Sequence, residues 1–267
     1  MIEELRFPSS ATVRAPERLV LKGGRSDWID IPVRYGVFRH AKAGTCLIDT
    51  GYSRRVTAGR RSLSLNIYNM LLRPRLTPNC LPDAVRNVDT ILITHWHADH
   101  ISALLDYPEA RIIADRKSLD HYLRVGASRL RHGVFAELLP DGLIDRIDDL
   151  ASRPQKEAPL GLGAGLDVFG DGSVFAIPLP GHMRGHTGYC FARRDRPLLY
   201  AADAQWLEQA VMEDRLPGAP ASWVLDNEAA NQDTARRIRA FAESGGDVVY
   251  CHDPVVPPCL DREALPE

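Results

Sequence analysis

No stretch of this chain approaches the roughly 18 consecutive apolar residues of a membrane span. The start, Met1-Ile2-Glu3-Glu4-Leu5-Arg6, is polar and lacks the apolar core of a signal peptide. Cysteine is sparse. Cys46, Cys80, Cys190, Cys251 and Cys259 are odd in number, widely spaced and form no CxxC pair, which argues for reduced thiols and against a disulfide framework. These absences together predict a cytoplasmic protein. Excess charge is also missing: the formal net charge is −2. Bulk electrostatics therefore exclude a nucleic-acid binder. There is no fixed-period repeat and no low-complexity tract.

What is present suits one layered α/β domain over 1–267, since 267 residues can bury a sizeable core without staples. Leu19–Leu21, Ile31–Phe38 and Cys46–Ile48 read as strands, and Asp49-Thr50-Gly51 as the turn that ends the last of them. Seven arginines (54, 55, 60, 61, 73, 75 and 86) face a single acid, Asp83, in 52–87. The pattern Leu63–Leu72 predicts a helix with Leu, Ile and Met grouped on one side, so 52–87 reads as an inserted helical cap. Those arginines form a solvated face or steer an anionic or carrier-linked substrate. Thr90–Thr94, Arg111–Ala114, Leu166–Phe169, Ser173–Leu179, Thr187–Ala192, Leu198–Ala202 and Val248–Tyr250 predict further strands. Ile101–Leu105 looks like a helix start and Arg116–Glu137 is helix-compatible, with Gly126 and Gly133 as breaks. Asn227–Ser244 is the clearest helix, with a polar start and Gly245-Gly246 as its stop.

Three of the nine histidines fall in six residues, His95-Trp96-His97-Ala98-Asp99-His100, directly after a strand. Imidazole with carboxylate suits zinc, and also iron or manganese. Alternate residues of an extended segment point the same way, so His95 and His97 can face one ion. Asp99 and His100, past the turn, can face a second. Each catalytic zinc needs about three protein ligands. Later strand ends offer His182, Asp203 and His252. His40, His121 and His132 sit in polar or helical surroundings and read as surface or satisfied histidines.

These residues resemble the metallo-β-lactamase superfamily. The chain carries its HxHxDH motif at His95–His100 and its Pro-Gly-His-x-x-Gly-His-Thr turn at Pro180–Thr187. The bridging acid is matched at Asp203, the terminal Cys-His at Cys251-His252, and the early turn at Asp49-Thr50-Gly51. The resemblance implies a four-layer αβ/βα sandwich. It implies a first metal on His95, His97 and His182, and a second on Asp99, His100 and His252, with Asp203 bridging. Asp49 then orients ligand imidazoles, and His186 is structural. Two cations sharing water generate a metal-bound hydroxide near neutral pH, and Asp99 shuttles a proton to the leaving group.

The implied function is a dinuclear hydrolase of a carboxylic ester or lactone. The alternatives are a thioesterase (acyl-CoA, acyl-carrier or glyoxalase II-like) and a non-catalytic metal-binding protein. The Pro180–Thr187 turn is similar to that of glyoxalase II and the acyl-homoserine-lactone lactonases. His97 stands where flavin-dependent diiron members carry an acid. The lactonases carry Tyr three residues after the bridging Asp, where this chain has Trp206. Indole donates a hydrogen bond but is no phenol. Tyr68 of the cap offers a replacement hydroxyl. Oligomeric state is not legible.

Overall fold

A computed structural model describes residues 2–59 and 61–261. The chain divides into two compact units: 1–14 with 30–149, and 15–29 with 150–267.

The first unit is built on nine strands: β1 (Ile2–Arg6), β2 (Ser9–Pro16), β3 (Trp28–Arg34), β4 (Gly36–His40), β5 (Gly44–Ile48), β6 (Arg75–Leu76), β7 (Thr90–Leu92), β8 (Arg111–Ala114) and β9 (Ile147–Asp149). Six of them form a mixed sheet in the order β1-β4-β5-β7-β8-β9, and β3-β2-β6 form a small second sheet. The antiparallel edge β1-β4-β5 gives way to parallel pairs β5-β7, β7-β8 and β8-β9. Parallel strands are covered on both faces and therefore read as unbroken apolar runs. Leu47, Ile48, Ile91, Leu92, Ile112 and Ile113 are all buried.

Three helices matter here. Arg116–Arg124 is capped by Asp115, whose carboxylate accepts from Lys117 N and Ser118 N. It buries Ser118, Leu119 and Tyr122. The predicted helix Leu63–Leu72 is present with those bounds, capped by Ser62, and Arg54–Thr57 precedes it. Arg60 lies outside the described residues. At 98–105 the expected helix start is displaced: Ala98–Ile101 begins three residues early, and Leu104–Asp106 is a separate 3-10 turn.

The second unit carries β10 (Gln155–Ala158), β11 (Gly163–Asp167), β12 (Val174–Pro178), β13 (Thr187–Phe191), β14 (Leu198–Ala202) and β15 (Asp247–Tyr250) in that spatial order. All pairs are antiparallel except β14-β15, which the helix Glu228–Glu243 makes parallel as a crossover. That helix buries Asn231, Thr234, Ala235, Ile238 and Phe241, a spacing that keeps one stripe on the sheet. Its stripe joins Phe175, Ile177, Leu179, Leu199 and Val248 in one core. Leu19–Leu21, expected as a strand, belongs instead to a short helix, Glu17–Val20, which has an acid in its first turn and Leu21 as its C-cap. A three-residue apolar run does not distinguish the two by periodicity.

Candidate metal centre

In the first unit, β7 ends at Leu92 and the chain runs on extended. Alternation then separates two kinds of side chain. Trp96 turns into the core, 1% exposed, and its indole N–H donates to Ser118 Oγ at 2.8 Å. His95 and His97 flank it. Their Nε2 and Nδ1 atoms converge to 3.0 Å. Two lone pairs at that distance repel, so a proton or a cation must lie between them. His100 and His95 are close as well, with ring centroids 4.0 Å apart.

Asp49 explains how these rings are held. It is fully buried and has a left-handed φ of 60°, a conformation Asp tolerates. Its Oδ1 accepts from Thr94 N at 2.8 Å. Its Oδ2 accepts from Thr94 Oγ1 at 2.7 Å and from His100 Nδ1 at 2.8 Å. Thr94 has one hydroxyl proton, already given to Asp49. The 2.9 Å contact between Thr94 Oγ1 and His95 Nδ1 therefore has His95 as donor. The chain His95–Thr94–Asp49–His100 thus protonates both Nδ1 atoms and presents both Nε2 lone pairs, as ligand imidazoles require. Burial raises the pKa of Asp49; its His100 and Thr94 contacts pull it back. Asp99 stands beside this set, with Oδ2 3.7 Å from His100 Nε2.

The second unit gathers its own set from three strand ends. After β12, Gly181 takes φ 130°, and a Cβ there would meet Asn231 N and Cα at 2.3 Å. Only glycine lets this turn lie on the helix start. Thr234 Oγ1 donates to Pro180 O at 2.7 Å, and Asn227 N to Gly181 O at 3.0 Å. His182 is thereby fixed. His186 closes the same turn through backbone bonds, its N to Met183 O and its O from Leu179 N. Its buried ring stands 5.7 Å from that of His182, nearly perpendicular.

At the end of β14, Ala202 has a left-handed φ of 47° at a register shift against β15. Such a kink is costly for alanine and turns Asp203 out of the ladder. Asp203 Oδ2 lies 3.0 Å from His252 Nε2 and 3.6 Å from His182 Nε2. One carboxylate oxygen placed between two imidazoles suits a bridging ligand. Cys251 Sγ also lies within 4.8 Å of the ligand atoms of Asp203 and His252. Gln205 donates to Asn231 O and Oδ1, and Asn231 Nδ2 to Ala204 O, so this loop too is tied to the helix. The donor set, buried imidazoles with carboxylates and one buried thiol, fits divalent metal ions in type.

The remaining expectations resolve as follows. Trp206 stands 6.3 Å from His182, ring to ring, and lines a recess with Asp203, Pro217, Ser222 and Leu225. Tyr68 is engaged in packing: its hydroxyl is 2.7 Å from that of Tyr52, and its ring meets Phe135 edge-on. Of the arginines in 52–87, Arg54, Arg55 and Arg75 pair with Asp83, Asp106 and Asp30. Arg61 donates to Val56 O, and Arg73 to Met70 O. His40 is satisfied, accepting from Lys42 N and Ala43 N. His132 was missed by the sequence. It is buried, with its ring parallel to that of His97 at 6.3 Å and near Tyr122. Its helical, basic neighbourhood gave no sign of that.

The sequence matches the metallo-beta-lactamase superfamily over residues 30–252, and the chain belongs to that superfamily. It is a metal-dependent hydrolase. It is 25% identical over 252 residues to the N-acyl homoserine lactonase AttM of Azorhizobium caulinodans, covering 87% of this chain and 86% of that protein. Its backbone is similar to a B. thuringiensis AiiA mutant solved with N-decanoyl-L-homoserine at the active site (TM-score 0.68, 14% identity, 95% and 94% of the two chains). It is also similar to AidC, described as a dizinc quorum-quenching lactonase (TM-score 0.62, 13% identity, 95% and 89% covered). The fold is that of the superfamily.

Proposed function

We propose that the chain is a dinuclear hydrolase that cleaves a small, uncharged carboxylic ester or lactone. The observation that carries this reading is the chain of hydrogen bonds through Thr94 and Asp49. It fixes two imidazoles of one short segment in the ligating tautomer, which a merely His-rich loop would not need. In this reading His95, His97 and His182 hold one ion, and Asp99, His100 and His252 the other. Asp203 would reach both. Zinc is favoured by the His/Asp donor set and by the dizinc AidC. When bound, the two ions polarise the carbonyl and lower the pKa of water towards neutrality.

The residues do the rest. The water oxygen adds to the carbonyl carbon while its proton passes to the Asp99 carboxylate; the C–O bond then breaks, and Asp99 hands that proton to the leaving oxygen. Asp49 and His186 keep the ligand rings in place. Trp206, from the recess beside His182, offers its indole N–H to the substrate carbonyl. Pro217 and Leu225 give that recess an apolar wall for the alkyl part. Three of the arginines in 52–87 are matched by acids. That leaves fewer cations in this segment for the phosphates of a CoA or carrier-linked thioester, the alternative substrate class.

The test is a panel of lactones, aryl esters and acyl thioesters on protein of known metal content. The reading expects lactone or ester turnover that Trp206→Ala weakens mainly in KM. Preference for acyl-CoA would replace it with the thioesterase reading.

A further inference from the structure

The helix Leu63–Leu72 is apolar on the wrong side. Its inner face is served by Leu65, 1% exposed, and by half-buried Tyr68. On the outer face Leu63 is 77% exposed, Ile67 45%, Met70 59% and Leu71 72%. At 100° per residue these four lie within one arc of about 100°. Four large apolar side chains exposed in one arc make a patch that calls for a cover.

We propose that the cover is a second copy of this chain, paired antiparallel through this helix about a two-fold axis at Ile67. Two features of the stripe select that occupant. First, three of its four residues are symmetrically spaced, and Met70 would face Ser64. Leu63 and Leu71 stand four residues either side of Ile67, so an antiparallel copy sets Leu63 on the partner's Leu71 and Ile67 on itself. That self-complementarity is what an isologous interface needs. Second, the ends carry complementary charge. At the N-terminal end the exposed Glu137 carboxylate accepts from Ser62 N and Oγ. At the C-terminal end stands exposed Arg73, in a left-handed cap. Antiparallel pairing brings each Arg73 to the other copy's Glu137, twice per dimer.

Sedimentation velocity of the intact chain over a wide concentration range tests this. The proposal expects a reversible dimer. Ile67→Glu places two carboxylates at the axis and gives a monomer with an unchanged circular dichroism spectrum, since that side chain makes no inner-face packing. Arg73→Glu weakens the dimer, and adding Glu137→Arg restores it. A wild-type chain that stays monomeric overturns the proposal, as does a dimer indifferent to Ile67→Glu or one that the charge exchange fails to restore. Vesicles of phosphatidylglycerol supply the other candidate cover. Sedimentation of a monomeric wild type with them, lost in Ile67→Glu, would assign the stripe to an anionic lipid surface instead.

Discussion

The two units offer candidate ligands in opposite ways. In the first, four candidate ligands come from one six-residue segment, and one buried carboxylate, Asp49, organises two of them. In the second, His182, Asp203 and His252 come from three strand ends spread over residues 182 to 252, each aimed by a separate backbone device. These are the glycine turn on Asn231, the left-handed Ala202, and the end of β15. A local set needs one support and fails at it. A dispersed set rests on the packing of the whole sheet and its crossover helix.

This contrast can be broken at graded cost. The largest effect belongs to a ligand itself. His97→Ala should lower hydrolysis by about 10³-fold or more, the several kcal/mol a catalytic metal supplies, while circular dichroism stays unchanged. Next comes the support of the local set. Asp49→Ala removes the acceptor of both Thr94 and His100, and metal affinity should fall by about 10- to 100-fold in a competition titration. For the dispersed set the matching lesion is Gly181→Ala. The added Cβ collides with backbone, so about 2–3 kcal/mol of stability should be lost in a urea melt. Metal loss should then accompany the unfolding rather than precede it. If Gly181→Ala instead lost metal without loss of stability, the comparison between the units would fail.

The smallest effect concerns the thiols. Burial raises Cys46, further raised by Asp89, and Cys190 from an ordinary 9.0 to about 12. Neither should react with a thiol reagent at pH 8 until the chain is denatured. Because the folded values are raised, this stabilisation is complete below pH 9 and is lost as pH climbs towards 12.

Much of the local set was legible in advance. His95 to His100 are contiguous, and the alternation that separates Trp96 from its neighbours is a strand rule visible in the letters. Asp203 and His252 could be placed because each ends an apolar run. The seven-residue ligand assignment rests on the resemblance and stays a proposal. The sequence hid what depends on contacts across long separations. Thr94 carries no motif, yet its hydroxyl settles the tautomer of His95. His132 reads as a surface residue because its partners, His97 and Tyr122, arrive from elsewhere. The Leu63–Leu72 helix was read with its bounds, but periodicity shows an apolar side and not which way that side faces. The strands β1, β2, β6, β9 and β10 went unread, being short, polar or at sheet edges where patterning is weak.

The central claim is that the two ligand sets hold two metal ions. Elemental analysis of the purified, folded chain tests it most directly. The account predicts close to two equivalents of divalent metal per chain, falling in His97→Ala. A folded, hydrolytically active chain free of metal would contradict it.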